Sequence, residues 1–151
     1  MHMKNRIISL IFLFVLFACQ KADIDIHNAD DMFSSELKGQ WVMINYWADW
    51  CPSCIKEMPE LVAFDRANND VQVFAFNFDQ LEGEDLTYEI KKFGVNISSI
   101  LSHPRDIWGI ESPATLPATY FINPEGELVQ SLFRPQTQAS LEEILEILKK
   151  S

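Results

Sequence analysis

The sequence has few cysteines, few histidines and few basic residues, and each shortage excludes a class of protein. Three cysteines in 151 residues are too few for a small fold stapled by disulfides. A structural zinc site needs four ligands, and the three histidines are scattered along the chain and do not supply the ones that a cysteine pair would lack. Only 12 Lys and Arg stand against 22 Asp and Glu, and the net charge of −10 argues against nucleic-acid binding by phosphate neutralisation. The chain also has no internal repeat or low-complexity linker. Because 48% of its residues are hydrophobic, we expect one globular domain with a sizeable core.

The start of the chain is basic and then strongly apolar. Lys4 and Arg6 precede an apolar run from Ile7 to Ala18, which has signal-peptide architecture and is short for a membrane-spanning helix. The run ends in Ala18-Cys19, which resembles a bacterial lipobox, although Phe17 is larger than that pattern prefers. The alternative is an uncleaved anchor in which Cys19 is an incidental apolar residue.

The lipobox resemblance implies three segments and a location. Residues 1–18 would be a lipoprotein signal peptide, residues 19–30 a lipidated Cys19 with a short polar tether, and residues 31–151 the folded domain. The mature protein would then be extracytoplasmic, on the periplasmic side, and attached to a membrane through its lipid.

Hydrophobic periodicity predicts an alternation of strands and helices followed by a hairpin and a last helix. The predicted strands are 41–47, 71–78, 98–102, 118–123 and 127–133, and the predicted helices are 30–37, 51–68, 84–93, 105–110 and 140–150. The first part requires a parallel crossover, and the turn Pro124-Glu125-Gly126 predicts an antiparallel pair. The predicted fold class is therefore α/β, with a mixed central sheet and helices on both faces in three layers.

The chemistry is predicted at a Cys-x-x-Cys pair where a buried strand passes into a helix. A helix N-terminus carries unpaired N–H groups and the positive dipole end, which favour the thiolate that attacks disulfides. Cys51 is expected to be the exposed attacking group, and Cys54, three residues on, can close a disulfide with it. Pro52 at the first helical position loses no hydrogen bond. The alternatives are half of a zinc site, for which the other ligands are missing, and a structural disulfide, which would constrain only a tiny loop.

Three motifs resemble the thioredoxin superfamily, and within it the TlpA/ResA branch of exported thiol–disulfide oxidoreductases. They are Val42-Met-Ile-Asn-Tyr-Trp-Ala-Asp-Trp-Cys-Pro-Ser-Cys54, Glu57-Met-Pro59 and Leu116-Pro-Ala-Thr-Tyr-Phe-Ile-Asn-Pro-Glu-Gly126. The resemblance implies a thioredoxin-like fold and a reductase of disulfides in extracytoplasmic proteins, with apocytochromes of cytochrome c maturation as one class of client. It implies no cofactor beyond the Cys51–Cys54 disulfide. It also implies a membrane electron donor of the DsbD/CcdA type.

The same resemblance assigns roles around the pair. Asn45 stands where thioredoxins usually carry a proton-moving aspartate, so proton handling must move elsewhere. Glu57 lies three residues after Cys54 on one helix face and is expected to accept its proton; the alternative is an ordinary solvent-facing glutamate. Pro117 is expected to follow a cis bond beside the cysteines, which would leave the Leu116 backbone free to pair with a substrate strand.

The tryptophans near the pair are expected to differ in role. Trp50 is predicted to shield the disulfide and to contact substrate together with Pro52 and Leu116, whereas Trp47 is predicted to be core. Asp49 is predicted to be a solvated rim charge.

Other functions remain open beside the reductase. A disulfide oxidase would have the same fold and the opposite redox poise. A copper-delivery or other metal-binding lipoprotein would need wider cysteine spacing and a suitably placed histidine, and a peroxiredoxin would lack the Trp-Cys-x-x-Cys arrangement.

Overall fold

The computed structural model describes residues 21–151, which form an alternation of strands and helices. The strands are β1 (Trp41–Trp47), β2 (Val71–Asn77), β3 (Ser98–Ser99), β4 (Ala118–Ile122) and β5 (Leu128–Leu132). The helices are α1 (Pro52–Ala67), α2 (Gly83–Phe93), α3 (Pro104–Trp108) and α4 (Gln138–Leu148). None of the helices in this part of the chain is long and apolar enough to cross a membrane.

The strands form one mixed sheet in the order β3-β2-β1-β4-β5. β1 pairs in parallel with β2, as does β2 with β3, because α1 and α2 return the chain across the sheet. β4 runs antiparallel to both β1 and β5. Gly126 closes the β4–β5 turn at φ 87°, a left-handed conformation that glycine adopts without steric cost. The predicted α/β fold class is confirmed.

Both faces of the central strands are buried, which explains why β1 is apolar almost throughout. Met43 and Trp47 point to the face covered by α1, α2 and α4, where Phe64, Leu86 and Leu141 pack. Val42, Ile44 and Tyr46 point to the opposite face, which α3 and the N-terminal segment cover. The loop after β1, which leads to Cys51, therefore leaves the sheet between two packed layers.

The predicted tether of residues 19–30 is too long, because the chain joins the fold at Ile24. Ile24 is fully buried and exchanges two backbone hydrogen bonds of 3.0 Å with Met32. Asp25 N–H donates to Ser102 Oγ at 2.8 Å, and the Asp25 carbonyl accepts from Leu101 N–H at 2.8 Å. Burying the isoleucine side chain and forming these backbone hydrogen bonds both lower the free energy of the folded state. This segment therefore packs onto the domain, although the residues around Ile24 are mostly polar. Cys19 and residues 1–18 lie outside the described residues.

The element boundaries differ from the predictions in a few places. Only Ser34–Leu37 is helical in the predicted helix 30–37, as a short 3-10 helix, because Met32 pairs with Ile24 instead. The strand predicted at 98–102 is reduced to two residues. α4 begins two residues earlier than predicted because the Thr137 hydroxyl accepts from Ser140 N–H at 3.2 Å, and Ser140 Oγ accepts from Thr137 N–H at 3.0 Å.

Candidate functional site

The two cysteines lie in the loop between β1 and α1 and at the start of that helix. Cys51 is the N-cap of α1, in an extended conformation, and Pro52 is the first helical residue. Cys51 and Cys54 form a disulfide with an S–S distance of 2.04 Å. Cys51 Sγ accepts a hydrogen bond of 3.2 Å from Cys54 N–H, one of the free N–H groups at the helix start. A thiolate at Cys51 would receive the same stabilisation.

The two cysteines differ in solvent exposure, but by less than the sequence analysis predicts. Cys51 is 4% exposed and Cys54 is 0% exposed. The sequence analysis predicted an exposed Cys51, and this is wrong in degree because the N-cap position folds its side chain back over the first turn of α1. Cys51 is still the more accessible residue of the disulfide.

Trp50 stands beside the disulfide with 57% of its surface exposed. Its indole Nε1–H donates to Asp79 Oδ2 at 2.6 Å, and its ring packs edge-on against Phe78 with the centroids 6.0 Å apart. Trp47 is fully buried, as predicted for a core residue. Asp49 is exposed and accepts from Trp50 N–H at 2.9 Å.

Asp79 was not singled out from the sequence, although a signal was available. It follows β2, which is parallel to β1, and the carboxyl ends of parallel strands meet at one edge of a sheet. A polar residue just after β2 therefore comes close to the loop that carries Trp50.

Glu57 is buried beneath the helix start, which excludes the solvent-facing alternative. It is 2% exposed; Oε1 accepts from Asn45 Nδ2 at 2.8 Å, and Oε2 accepts from the Gln136 backbone N–H at 2.9 Å. Burial raises the pKa of the Glu57 carboxyl from 4.5 to about 7, against the opposing effect of these two hydrogen bonds. Among the described residues, no cation forms an ion pair with Glu57, so nothing charged offsets its desolvation.

Gln136 was missed by the sequence analysis. It lies 79 residues after Glu57, in the loop before α4, and is 4% exposed. No local pattern marks a loop residue whose backbone N–H reaches a distant carboxylate.

The Leu116–Pro117 bond is cis, and Pro117 is buried at the start of β4. Leu116 is half-buried and packs against the hydrophobic cluster that contains both cysteines. Pro52 is exposed on the first turn of α1. The structure thus places Trp50 and Pro52 on either side of Cys51 in the chain, Leu116 against the hydrophobic cluster that includes both cysteines, and Glu57 on the next turn of α1 after Cys54.

No group of three or more His, Cys, Asp or Glu side chains that could hold a metal ion occurs between residues 21 and 151. The Cys51–Cys54 pair therefore has no further candidate ligands in that range.

Comparison with solved structures identifies the same fold in other proteins. A thiol:disulfide interchange protein of the thioredoxin family from Chlorobium tepidum TLS matches with a TM-score of 0.63 and 19% identity, covering 83% of this chain and 93% of that one. StoA from Bacillus subtilis matches with a TM-score of 0.59 and 24% identity, covering 70% of this chain and 82% of that one. At these identities the comparison supports the thioredoxin-like fold.

Sequence comparison identifies thiol–disulfide oxidoreductases among the relatives of this chain and a family model that matches it. The thiol-disulfide oxidoreductase ResA of Bacillus subtilis (strain 168) is 28% identical over 117 residues, or 76% of this chain. This chain spans 65% of the length of that relative. A model of the AhpC/TSA family matches residues 17–131, well over half of the sequence and including Cys51, Cys54, Glu57 and Pro117. The chain therefore belongs to the AhpC/TSA family, within which its cysteine pair is carried on a thioredoxin-like fold.

Proposed function

We propose that this protein is a thiol–disulfide oxidoreductase that reduces disulfides of other proteins through Cys51 and Cys54. The observation that carries the proposal is the disulfide at the N-terminus of α1, in which Cys51 Sγ accepts a hydrogen bond from Cys54 N–H. The similarity to ResA, which is named a thiol-disulfide oxidoreductase, supports the same reaction.

The reaction proceeds in two displacements. In the reduced protein the Cys51 thiolate attacks one sulfur of the client disulfide, forms a mixed disulfide and releases the other client sulfur as a thiolate. Cys54 then loses its proton and attacks Cys51 Sγ, which restores the Cys51–Cys54 disulfide and releases the second client thiol. Two electrons pass to the client and stay in its two thiols. A membrane electron donor of the DsbD/CcdA type then supplies two new electrons, which reduce the Cys51–Cys54 disulfide for the next cycle.

Glu57 accepts the Cys54 proton in this scheme. Support comes from its position three residues after Cys54 on α1, its burial, and its pKa of about 7, which suits a base near neutral pH. Asn45 cannot take this role because a carboxamide does not titrate.

Trp50, Pro52 and Leu116 form the surface that contacts the client. Trp50 and Pro52 are exposed beside Cys51, and Leu116 packs against the cluster that contains the sulfurs. An extended client segment would pair with the Leu116 backbone while its disulfide faces Cys51.

The direction of the reaction is tested by the reduction potential of the Cys51–Cys54 pair. No histidine lies between the cysteines to stabilise the thiolate heavily, so we expect a value nearer to about −270 mV, as in thioredoxin, than to about −120 mV, as in DsbA. Equilibration with glutathione or dithiothreitol redox buffers measures it. A value near that of DsbA would replace the reductase by a disulfide oxidase of the same fold.

We further propose that Cys19 is lipidated and that the mature protein is attached to a membrane on the extracytoplasmic side. The support is the basic start, the apolar run and Ala18-Cys19. Intact-mass analysis of protein from the membrane fraction should give a chain that begins at Cys19 and carries a lipid. Cys19→Ser should carry no lipid and should keep residues 1–18, and an unmodified Cys19 in the wild-type protein would contradict the proposal.

A further inference from the structure

Glu57 belongs to a buried polar network contributed by four separate parts of the chain. The network consists of Glu57 on α1, Asn45 on β1, Thr119 on β4 and Gln136 in the loop before α4. Asn45 Nδ2 donates to Glu57 Oε1 at 2.8 Å and to Thr119 Oγ1 at 3.0 Å. Asn45 and Thr119 are fully buried and directly opposed in the β1–β4 register. The network thus joins the helix that carries the cysteines to the strand that follows Pro117.

The hydrogen bonds of this network suit an ionised Glu57 and no other state. Both carboxylate oxygens face N–H groups, one from Asn45 and one from Gln136. A proton on either oxygen would add a third donor and would need an acceptor. Asn45 Oδ1 is an acceptor that is buried and has no hydrogen-bond partner within residues 21–151. The side chain that touches Glu57 therefore holds a buried acceptor that is not used while the carboxyl group is ionised.

We propose that Asn45 is a positioning residue for Glu57, whose carboxamide turns over when the carboxyl group gains a proton. Rotation by half a turn about the bond to the amide carbon exchanges Oδ1 and Nδ2. Oδ1 then accepts from the protonated Glu57 Oε1 and, with its second lone pair, from the Thr119 hydroxyl. The inference rests on the proposed function, in which Glu57 receives the Cys54 proton.

The turnover connects proton transfer to the substrate side of the site. In the ionised state the Thr119 hydroxyl accepts from Asn45, and in the protonated state it donates to Asn45. Thr119 lies two residues after Pro117, so the proton on Glu57 reverses a hydrogen bond on the strand next to the client. Asn45 offers a donor to the ionised base and an acceptor to the protonated base. In the second state its Nδ2 group takes the position of Oδ1, where no partner lies within residues 21–151, so both of its own hydrogen bonds are lost.

Few charged or titratable groups surround Glu57. β1 and β4 contribute the neutral Asn45 and Thr119, and the loop before α4 contributes the neutral Gln136 and the exposed Arg134. On α1, Glu60 accepts from Gln138 N–H at the start of α4, and Cys54 is held in the disulfide. In the oxidised protein neither cysteine titrates, so a response of Asn45 to pH reports on Glu57.

The test is a pH titration of the Asn45 side-chain amide by ¹⁵N–¹H NMR, in the oxidised full-length protein in detergent micelles. Asn45→Leu identifies the two amide proton signals by removing them. At high pH both protons are hydrogen-bonded, and turnover breaks both bonds. We therefore expect both signals to move to higher field together as the pH falls through about 7, with one midpoint. If only the signal of the proton that faces Glu57 shifts with pH, or if neither signal shifts, the proposal is overturned.

Two variants sharpen this result. In Glu57→Gln the new amide oxygen must face the Gln136 N–H, so its NH₂ group faces Asn45, and both Asn45 signals should stay at their low-pH positions throughout. Thr119→Val removes the second acceptor and should leave one pH-dependent signal. If both Asn45 amide signals shift with one midpoint but the protein exchanges no disulfides, the proposed function is refuted and the turnover stands. If the two signals do not shift together in a protein that does exchange disulfides, only the turnover is refuted.

Discussion

Cys54→Ser is expected to trap the protein in mixed disulfides with its clients, joined through Cys51. Cys51 is the more accessible of the two cysteines, at 4% exposure against 0% for Cys54, and its Sγ accepts the N–H of the first helical turn. Without the Cys54 thiol the first displacement still occurs and the second does not. Incubation of the reduced variant with a small disulfide-bonded test protein, followed by non-reducing electrophoresis and mass spectrometry, detects the adduct and its linkage.

Cys51→Ser is the matched variant, and its exchange rate should fall to the uncatalysed background. It leaves Cys54 as a buried thiol with no route to a client sulfur, so no adduct should accumulate. Cys19→Ser controls for the third cysteine and should retain the wild-type exchange rate. Adducts that form through Cys54 in Cys51→Ser would reverse the assignment of attacking and resolving groups.

Glu57→Gln is expected to remove most of the pH dependence of stability between about pH 4.5 and pH 7. The folded protein holds the Glu57 proton up to about pH 7, whereas the unfolded chain releases it near pH 4.5. The folded state therefore binds more protons in this window, and the free energy of unfolding falls as the pH rises. A shift of this size corresponds to about 3 kcal/mol of lost stability above pH 7, with the full stability present below pH 4.5.

Urea unfolding at several pH values measures this effect. The wild-type free energy of unfolding should decline through the window, and that of Glu57→Gln should be nearly flat by comparison. Glu60→Gln removes a carboxylate from the same helix and should keep the wild-type decline. Equal slopes in Glu57→Gln and the wild-type protein would mean that Glu57 titrates alike in the folded and unfolded states.

The same variant tests the catalytic role of Glu57. A positioned base contributes about 10²-fold or more to a proton transfer, so we expect Glu57→Gln to slow the second displacement by about that factor at neutral pH. Single-turnover reduction of a test disulfide separates this step from the first attack by Cys51. An unchanged rate for the second step would remove Glu57 from the mechanism and leave the cysteine assignment intact.

The local features of the site were accessible from sequence because they depend on neighbours in the chain. An apolar strand followed by Cys-Pro-Ser-Cys predicts a helix start at the cysteines, and α1 does begin at Pro52. The spacing from Cys54 to Glu57 predicts a shared helix face. The alternation of strands and helices, with a Pro-Glu-Gly turn, predicts the mixed sheet. The cis bond at Pro117 was expected only through resemblance, since local pattern favours a trans bond.

The remaining features of the fold and of the site depend on contacts between residues far apart in the chain, which no local pattern encodes. Ile24 looked like part of a polar tether and is a core residue, since only the folded sheet edge offers the groups that pair with its segment. Asp79 holds the Trp50 ring because β1 and β2 end side by side. Local sequence pattern was enough for the fold class and for placing Cys51, Cys54 and Glu57 at the start of α1, because these depend on near neighbours in the chain. Tertiary structure alone decided the pKa of Glu57, because that depends on burial and on donors from β1 and from a loop 79 residues away.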